Sequence, residues 1–164
     1  EADDCIALAT YKLEKLDNNP KIYIIANDMD YLQLVKDNIK IYNLKFKDLN
    51  ESKTSTGSAD SNLFCKIIIG DKSDYIQGIF KKCGQKTALK YFEDKDLFTK
   101  QLQKENCYDK YLLNKKIIDF SEIPEDLKTL HSCLRRWRGS SGGRDRLSPQ
   151  YPDSRHQTGS GGSS

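Results

Sequence analysis

Lys21-Ile22-Tyr23-Ile24-Ile25-Ala26-Asn27-Asp28-Met29-Asp30 decides the fold of this chain. Ile22 to Ile25 make one short apolar run, the pattern of a strand buried on both faces. Asp28 and Asp30 follow directly at its carboxyl end. Open parallel sheets bind ligands just beyond the carboxyl ends of their strands, so a D-x-D there marks a site and points to an α/β domain.

Working outward, residues 2 to 16 carry Ile6, Ala9, Leu13 and Leu16 at helical spacing, and Asn18-Asn19-Pro20 ends the pattern. Glu1, Asp3 and Asp4 then lie on the first turn of a helix, where its dipole favours negative charge. Downstream, Tyr31 to Val35 predicts a short helical turn, and Ile39 to Phe46, through Ile39, Ile41 and Leu44, predicts a second strand. A polar loop over 50–60 leads to an apolar helix, Leu63 to Ile69, that ends at Gly70-Asp71. Further helices are expected over Lys86 to Phe92, Asp96 to Lys104 and Glu125 to Leu134. Strands early and helices late give half an α/β sheet followed by a helical lobe.

Seven of the 24 acidic residues fall into three clusters: Glu1, Asp3 and Asp4; Asp28 and Asp30; Asp71 and Asp74. Like charges a few ångströms apart repel by roughly 1 kcal/mol per pair even in bulk water. If the clusters converge, something positive must stand among them. Glu1 with Asp4, and Asp71 with Asp74, have the i, i+3 spacing of neighbours on a helix. Clusters of carboxylates without a histidine suit magnesium, and two ions about 3.5 to 4 Å apart stabilise both the attacking and the leaving oxygen of a phosphoryl centre. Each cluster alone also reads as a helix cap, a first-turn acid or a turn residue.

Gly78 and Gly84 are expected to bracket a turn between two short helices, with Lys81, Lys82 and Lys86 on that turn. Backbone N–H groups freed by glycine, a helix N-terminus and ammonium groups together cradle phosphate. The same glycines also read as helix stops and the lysines as solvated charge. Tyr31, Tyr42, Tyr91 and Tyr111 read as aromatics at the edge of the core, one of which could stack on a base.

The chain has 164 residues, 37% hydrophobic and 31% charged, in keeping with one globular domain able to bury a core. No apolar run approaches the roughly 20 residues that span a bilayer. Cys5, Cys65, Cys83, Cys107 and Cys133 are odd in number and widely spaced. That argues for reduced structural thiols in a cytoplasmic or nuclear setting and against a zinc knuckle. Lys and acidic residues nearly cancel up to Leu134, so nucleic-acid affinity would have to come from local patches. All arginines lie between Arg135 and Arg155, whereas lysines stop at Lys128, asparagines at Asn114 and isoleucines at Ile123. The change reads as a junction with a linker, a fusion scar or an out-of-frame end, so 139–164 is set apart as a disordered, non-native tail. His131, His156, Trp137 and Arg135-Arg136-Arg138 are given no role.

Four stretches together resemble the ordered motifs of the 5′-3′ exonuclease and flap endonuclease family, found in bacterial polymerase I, phages and large DNA viruses. They are Glu1-Ala2-Asp3-Asp4, Ile24 to Leu34, Ile69-Gly70-Asp71-Lys72-Ser73-Asp74, and Lys86-Thr87-Ala88-Leu89. The resemblance runs to about Pro124. It implies a partial PIN-like α/β core with parallel strands over 1–70, then a helix-hairpin-helix and helical lobe over 71–138.

By position, Glu1, Asp3, Asp28, Asp30 and Asp71 match the family's shared acidic ligands, and Asp4 and Asp74 match further carboxylates of the bacterial and phage type. These seven would hold two Mg2+ or Mn2+ ions and hydrolyse phosphodiesters. Gly78, Ile79, Lys81, Lys82, Gly84, Lys86 and Thr87 would grip duplex, nicked or flapped DNA, with a K+ ion at the hairpin. The protein is expected to act as a monomer inside a cell, viral origin included.

The hairpin is longer and keeps fewer glycines than usual, and Tyr75 stands where the family commonly has Asn. The family's first strand and its arch are expected upstream of Glu1, so the chain alone should bind metal weakly and cleave poorly. The alternative is a noncatalytic duplex-DNA-binding module that retains the hairpin.

Overall fold

The computed structural model describes residues 2–16 and 18–130. Glu1, Cys133, the aromatic and arginine cluster near Trp137, both histidines and the 139–164 tail lie outside the described residues. Helix α1 (Ala2–Glu14) opens with Asp3 and Asp4 in its first turn and ends with Lys12 in its last, each sign at the favoured pole of the helix dipole. It buries Ala7 and Thr10, and the Thr10 hydroxyl donates to the Ile6 carbonyl at 2.8 Å, so the buried hydroxyl is satisfied.

Strand β1 (Ile22–Ile25) pairs in parallel with β2 (Ile39–Tyr42), Ile22 opposite Ile39 and Ile24 opposite Ile41. All four of these isoleucines are buried. The expectation of a strand buried on both faces is corrected here: Tyr23 and Ile25 are 59% and 54% exposed. Successive side chains of a strand point to opposite faces, and among the described residues only one face is covered. A three-ten helix, Met29–Leu34, stands between the two strands and is capped by Asp28.

Strand β2 also stops short of the expected Phe46. The Asn43 side chain accepts from the amides of Lys45 and Lys47, at 2.9 and 3.0 Å, and turns the chain. Leu44 and Phe46 are left exposed on that turn.

Helix α2 (Ala59–Ile69) starts where the Ser58 side chain accepts from the Ser61 amide, and stops at Gly70, whose φ of 79° lies in the left-handed region. A hairpin follows, β3 (Gly70–Asp71) antiparallel to β4 (Ile76–Gln77). Asp71 and Asp74 therefore lie on a hairpin and its loop, and their separation of three is not a helical one. A Cβ on Gly70 would collide with the Ile76 carbonyl oxygen, so the hairpin closes only over glycine.

Three helices complete the second half: α3 (Gln85–Glu93), α4 (Lys95–Glu105) and α5 (Tyr108–Ile118). Asp94 caps α4 by accepting from the Leu97 amide at 2.9 Å, and Asn106, at φ 48°, ends it. No sequence reading anticipated α5. The pair of short helices expected around Gly78 is also corrected: residues 78–84 form bends and turns, and the helix that packs against α3 is α2. A short α6 (Glu125–Leu130) ends the described chain.

Two cores result. The first joins α1, the strands and the three-ten helix to Phe120 and Ile123; the second gathers Phe64, Ile68, Phe80, Phe98, Leu102 and Ile118. Phe98 is the hub of the second, edge-on to Phe64 at 5.0 Å and to Tyr111 at 5.4 Å. Such pairs contribute about 0.5 to 1.5 kcal/mol each beyond their buried area. Two side-chain amides tie distant segments together. Asn114, buried on α5, donates to the carbonyls of Ile67 at 3.0 Å and Gln77 at 2.9 Å. Gln33 donates to Ile118 at 3.1 Å and accepts from the Phe120 amide at 3.0 Å.

Candidate metal centre

Each acidic cluster arrives from a different element. Asp3 and Asp4 come from the first turn of α1, Asp28 and Asp30 from the entry to the three-ten helix after β1, and Asp71 and Asp74 from the hairpin that ends α2. Carboxylate oxygens of Asp3, Asp28 and Asp30 lie within 4.8 Å of one another, as do those of Asp30, Asp71 and Asp74. Asp30 belongs to both trios. Asp4 lines the same cavity, of about 1020 Å³, together with Asp3, Asp28, Asp30 and Asp74. Glu1 lies outside the described residues.

The local chemistry holds these groups in place. Asp28 Oδ1 accepts from the Asp30 amide at 2.9 Å, which fixes the D-x-D as a cap. Asp71 Oδ1 accepts from the Ser73 amide at 2.8 Å and from the Ser73 hydroxyl, and so shapes the hairpin loop. Tyr31, 3% exposed, donates its hydroxyl to Asp3 Oδ1 at 2.5 Å and orients that carboxylate. Burial, that hydrogen bond and the charges of Asp3 and Asp28 raise the Tyr31 hydroxyl pKa, so the donor keeps its proton.

A lysine stands among the carboxylates. Lys66, on α2, sets its ammonium against Asp30 Oδ1, which is buried, and lies 2.7 Å from Asp71 Oδ2. Burial raises the Asp71 pKa, but the lysine and the Ser73 hydrogen bonds outweigh it and hold the carboxyl at about 2. Asp28 moves the other way: burial and the Asp3 charge raise it, and Lys66 offsets this only in part. The acidic centre thus mixes a strongly ionised and a reluctant carboxylate, the second being the kind a divalent ion would stabilise.

Sequence reasoning missed Lys66, Tyr31 as an orienting group, and Asn114. For Lys66 a signal was present: a lone charge inside Phe64-Cys65-Lys66-Ile67-Ile68-Ile69, five positions before Asp71.

The hairpin residues fall into two groups. Lys81, Lys82, Gly84 and Lys86 are exposed, and Gly84 opens α3 with its carbonyl accepting from the amides of Thr87 and Ala88, both at 3.0 Å. Ile79 instead lies in the second core, with its amide donating to the Ile68 carbonyl at 2.9 Å. A Cβ on Gly78 would meet the Ile69 carbonyl oxygen at 2.5 Å, so that glycine serves close packing against the end of α2. Among the described residues no helix is long and apolar enough to cross a membrane, and Cys5, Cys65, Cys83 and Cys107 are free thiols.

No protein-family profile matches the chain. Two curated relatives do. The 5′-3′ exonuclease of Buchnera aphidicola subsp. Acyrthosiphon pisum is 37% identical over 94 residues, covering 54% of this chain and 32% of that protein. The protein named ribonuclease H of Enterobacteria phage T4 is 30% identical over 142 residues, covering 77% of this chain and 45% of that one. The chain therefore spans less than half the length of either relative. Among solved structures, the phage T5 D15 flap endonuclease, crystallised with DNA and metal ions, shares the fold at a TM-score of 0.62 and 15% identity. That match covers 80% of this chain and 57% of the T5 protein. With its acidic motifs in order, a 5′-3′ exonuclease among its curated relatives and the PIN-like α/β fold it shares with the T5 protein, the chain is a relative of the 5′-3′ exonuclease and flap endonuclease family.

Proposed function

We propose that this chain carries the metal-binding face of a 5′ nuclease that hydrolyses phosphodiesters in branched or nicked DNA. The observation that carries the reading is the pair of carboxylate trios joined through Asp30. All-oxygen donors fit hard divalent ions, Mg2+ or Mn2+, and a carboxylate common to two sites keeps two such ions close. Asp3, Asp28 and Asp30 would hold one ion and Asp30, Asp71 and Asp74 the other, with Asp4 in the lining of the same cavity and Glu1, outside the described residues, as a further proposed ligand. When bound, the ions supply a nucleophile at neutral pH and neutralise the charge that develops on the phosphoryl group.

The chain's own residues do the rest. Tyr31 holds Asp3 in one orientation, the Asp28 cap fixes Asp30, and Ser73 fixes Asp71. Lys66 sets its ammonium against Asp30 and Asp71, the charge a bound ion would have to replace. Lys81, Lys82 and Lys86, with the start of α3, would grip the duplex backbone and add salt-dependent affinity without reading bases. A K+ ion at the turn belongs to the same proposal.

The phage relative's name, ribonuclease H, adds an RNA strand paired to DNA as a second candidate substrate. One observation favours a noncatalytic reading: Lys66 already neutralises part of the acidic cluster.

Manganese binding by calorimetry, followed by Mn2+-dependent cleavage of 5′-flapped DNA, nicked duplex, RNA-primed duplex and single strands, tests these readings. Asp28→Asn with Asp30→Asn is expected to abolish both binding and cleavage. Divalent binding that survives the double substitution would leave only the DNA-binding module.

A further inference from the structure

We propose that Tyr75 is a base-stacking residue: at the mouth of the acidic cavity, its ring takes the face of the nucleobase beside the phosphate held at the carboxylates. The inference rests on the nuclease reading above and adds a base subsite to it. Tyr75 is 93% exposed, the highest value among the large hydrophobic side chains described. It closes the four-residue loop from Lys72 to Tyr75 between β3 and β4, with its amide donating to the Lys72 carbonyl at 3.4 Å.

Its φ is 58°, in the left-handed region that glycine and asparagine enter readily and a bulky aromatic residue does not. Phe46 is exposed at a similar φ of 57°, but Tyr75 alone of the two lines the acidic cavity. Strain of this kind gathers where a side chain has a task.

The surroundings fit a nucleotide. Tyr75 follows Asp74 in the chain, and consecutive Cα atoms are about 3.8 Å apart, so the ring is rooted beside one of the two carboxylate trios. The cavity of about 1020 Å³ has Asp3, Asp28, Asp30 and Asp74 in its lining, and Tyr75, Ile76, Leu113 and Ile117 contribute apolar surface to it. Leu113 and Ile117, one turn apart on α5, are 56% and 57% exposed. A nucleotide has the same two ends, an anion and a flat apolar ring. Stacking on an aromatic side chain tolerates any base, as a structure-selective nuclease requires.

The test uses the full 164-residue chain, flapped DNA and Ca2+ as a divalent ion that supports binding. DNA carrying 5-iododeoxyuridine at the junction is irradiated with the protein, and the crosslinked peptide is identified by mass spectrometry. Crosslinking at Tyr75 is expected. In parallel, fluorescence anisotropy measures affinity for Tyr75→Asn and Tyr75→Gly, which suit a left-handed φ and so keep the hairpin, and for Tyr75→Phe, which keeps the ring. The first two should bind roughly 5- to 150-fold more weakly, the range that stacking on one base provides, and Tyr75→Phe should match the parent. Parent-like binding by Tyr75→Asn, or crosslinks only at other peptides, overturns the stacking role and leaves the nuclease reading intact. If the parent itself shows no divalent-dependent DNA binding, both fall together.

Discussion

Replacing Lys66 by Met removes the positive charge that pairs with Asp30 and Asp71 and keeps most of the aliphatic stem. Its ammonium lies 2.7 Å from Asp71 Oδ2 and also meets Asp30. At an effective dielectric near 20, a pair at that distance gains about 6 kcal/mol of gross Coulomb energy, most of which desolvation cancels. Exposed pairs contribute about 0 to 1 kcal/mol, whereas removing one partner of a fully buried pair costs about 3 to 5 kcal/mol. Lys66 is 20% exposed and its partners 18% and 17%, between those limits, so the loss in a metal-free buffer should be about 2 kcal/mol.

A divalent ion bound by the same carboxylates would take over the role of the ammonium, and in saturating Mn2+ the loss should fall to about 0.5 kcal/mol. The difference of about 1.5 kcal/mol must reappear as roughly tenfold tighter Mn2+ binding by Lys66→Met. Urea unfolding in EDTA and in Mn2+, with a direct Mn2+ titration, measures every side of this cycle. An equal loss in both buffers, or weaker Mn2+ binding by the variant, would refute the idea that lysine and metal compete for one acidic centre.

Asn114→Ala strips two hydrogen bonds, one buried and one part-buried, to the carbonyls of Ile67 and Gln77; a stability loss of about 2 to 4 kcal/mol is expected by denaturant titration. Gly70→Ala forces a side chain into a φ of 79° and against the Ile76 carbonyl oxygen, so it should cost about 3 kcal/mol or more and weaken Mn2+ binding. Gly84→Ala meets no atom within 4 Å and should stay within about 0.5 kcal/mol of the parent. Iodoacetamide at pH 8 should modify exposed Cys5 in the native protein. Cys65, whose burial raises its thiol to about 11, should react only after unfolding, as peptide mass mapping would reveal.

The sequence carried the elements whose cause is local. The run Ile22 to Ile25 before a D-x-D, the helical spacing of Ile6, Ala9 and Leu13, and the acidic first turn of α1 all reappear within a residue or two of expectation. What escaped depended on tertiary context. Helix α5 reads Tyr108-Asp109-Lys110-Tyr111-Leu112-Leu113-Asn114-Lys115-Lys116-Ile117-Ile118, with apolar residues spread around its circumference, and Leu112, Leu113 and Ile117 remain exposed. No clear stripe announced it. Asp71 and Asp74 share a helix-like spacing, yet Gly70 ends α2 one residue earlier, and only the close approach to Ile76 reveals why. The carboxylates were readable because like charges in clusters need an explanation. Lys66 was marked only as a lone charge inside an apolar run, which does not tell that it faces two aspartates.

The Gln33 amide bears on how this protein is made. It grips Ile118 and Phe120, residues 85 and 87 positions further along the chain, and Phe120 and Ile123 complete the core that supports Asp28 and Asp30. On a ribosome adding about 5 to 20 residues each second, the DxD segment emerges several seconds before the residues that clamp it. The second core, by contrast, is assembled from residues 63–118, a span that leaves the ribosome as one block. Contacts between segments so far apart carry a loop-closure cost that slows their formation. The acidic face should therefore mature last during synthesis, after the helical half has already folded.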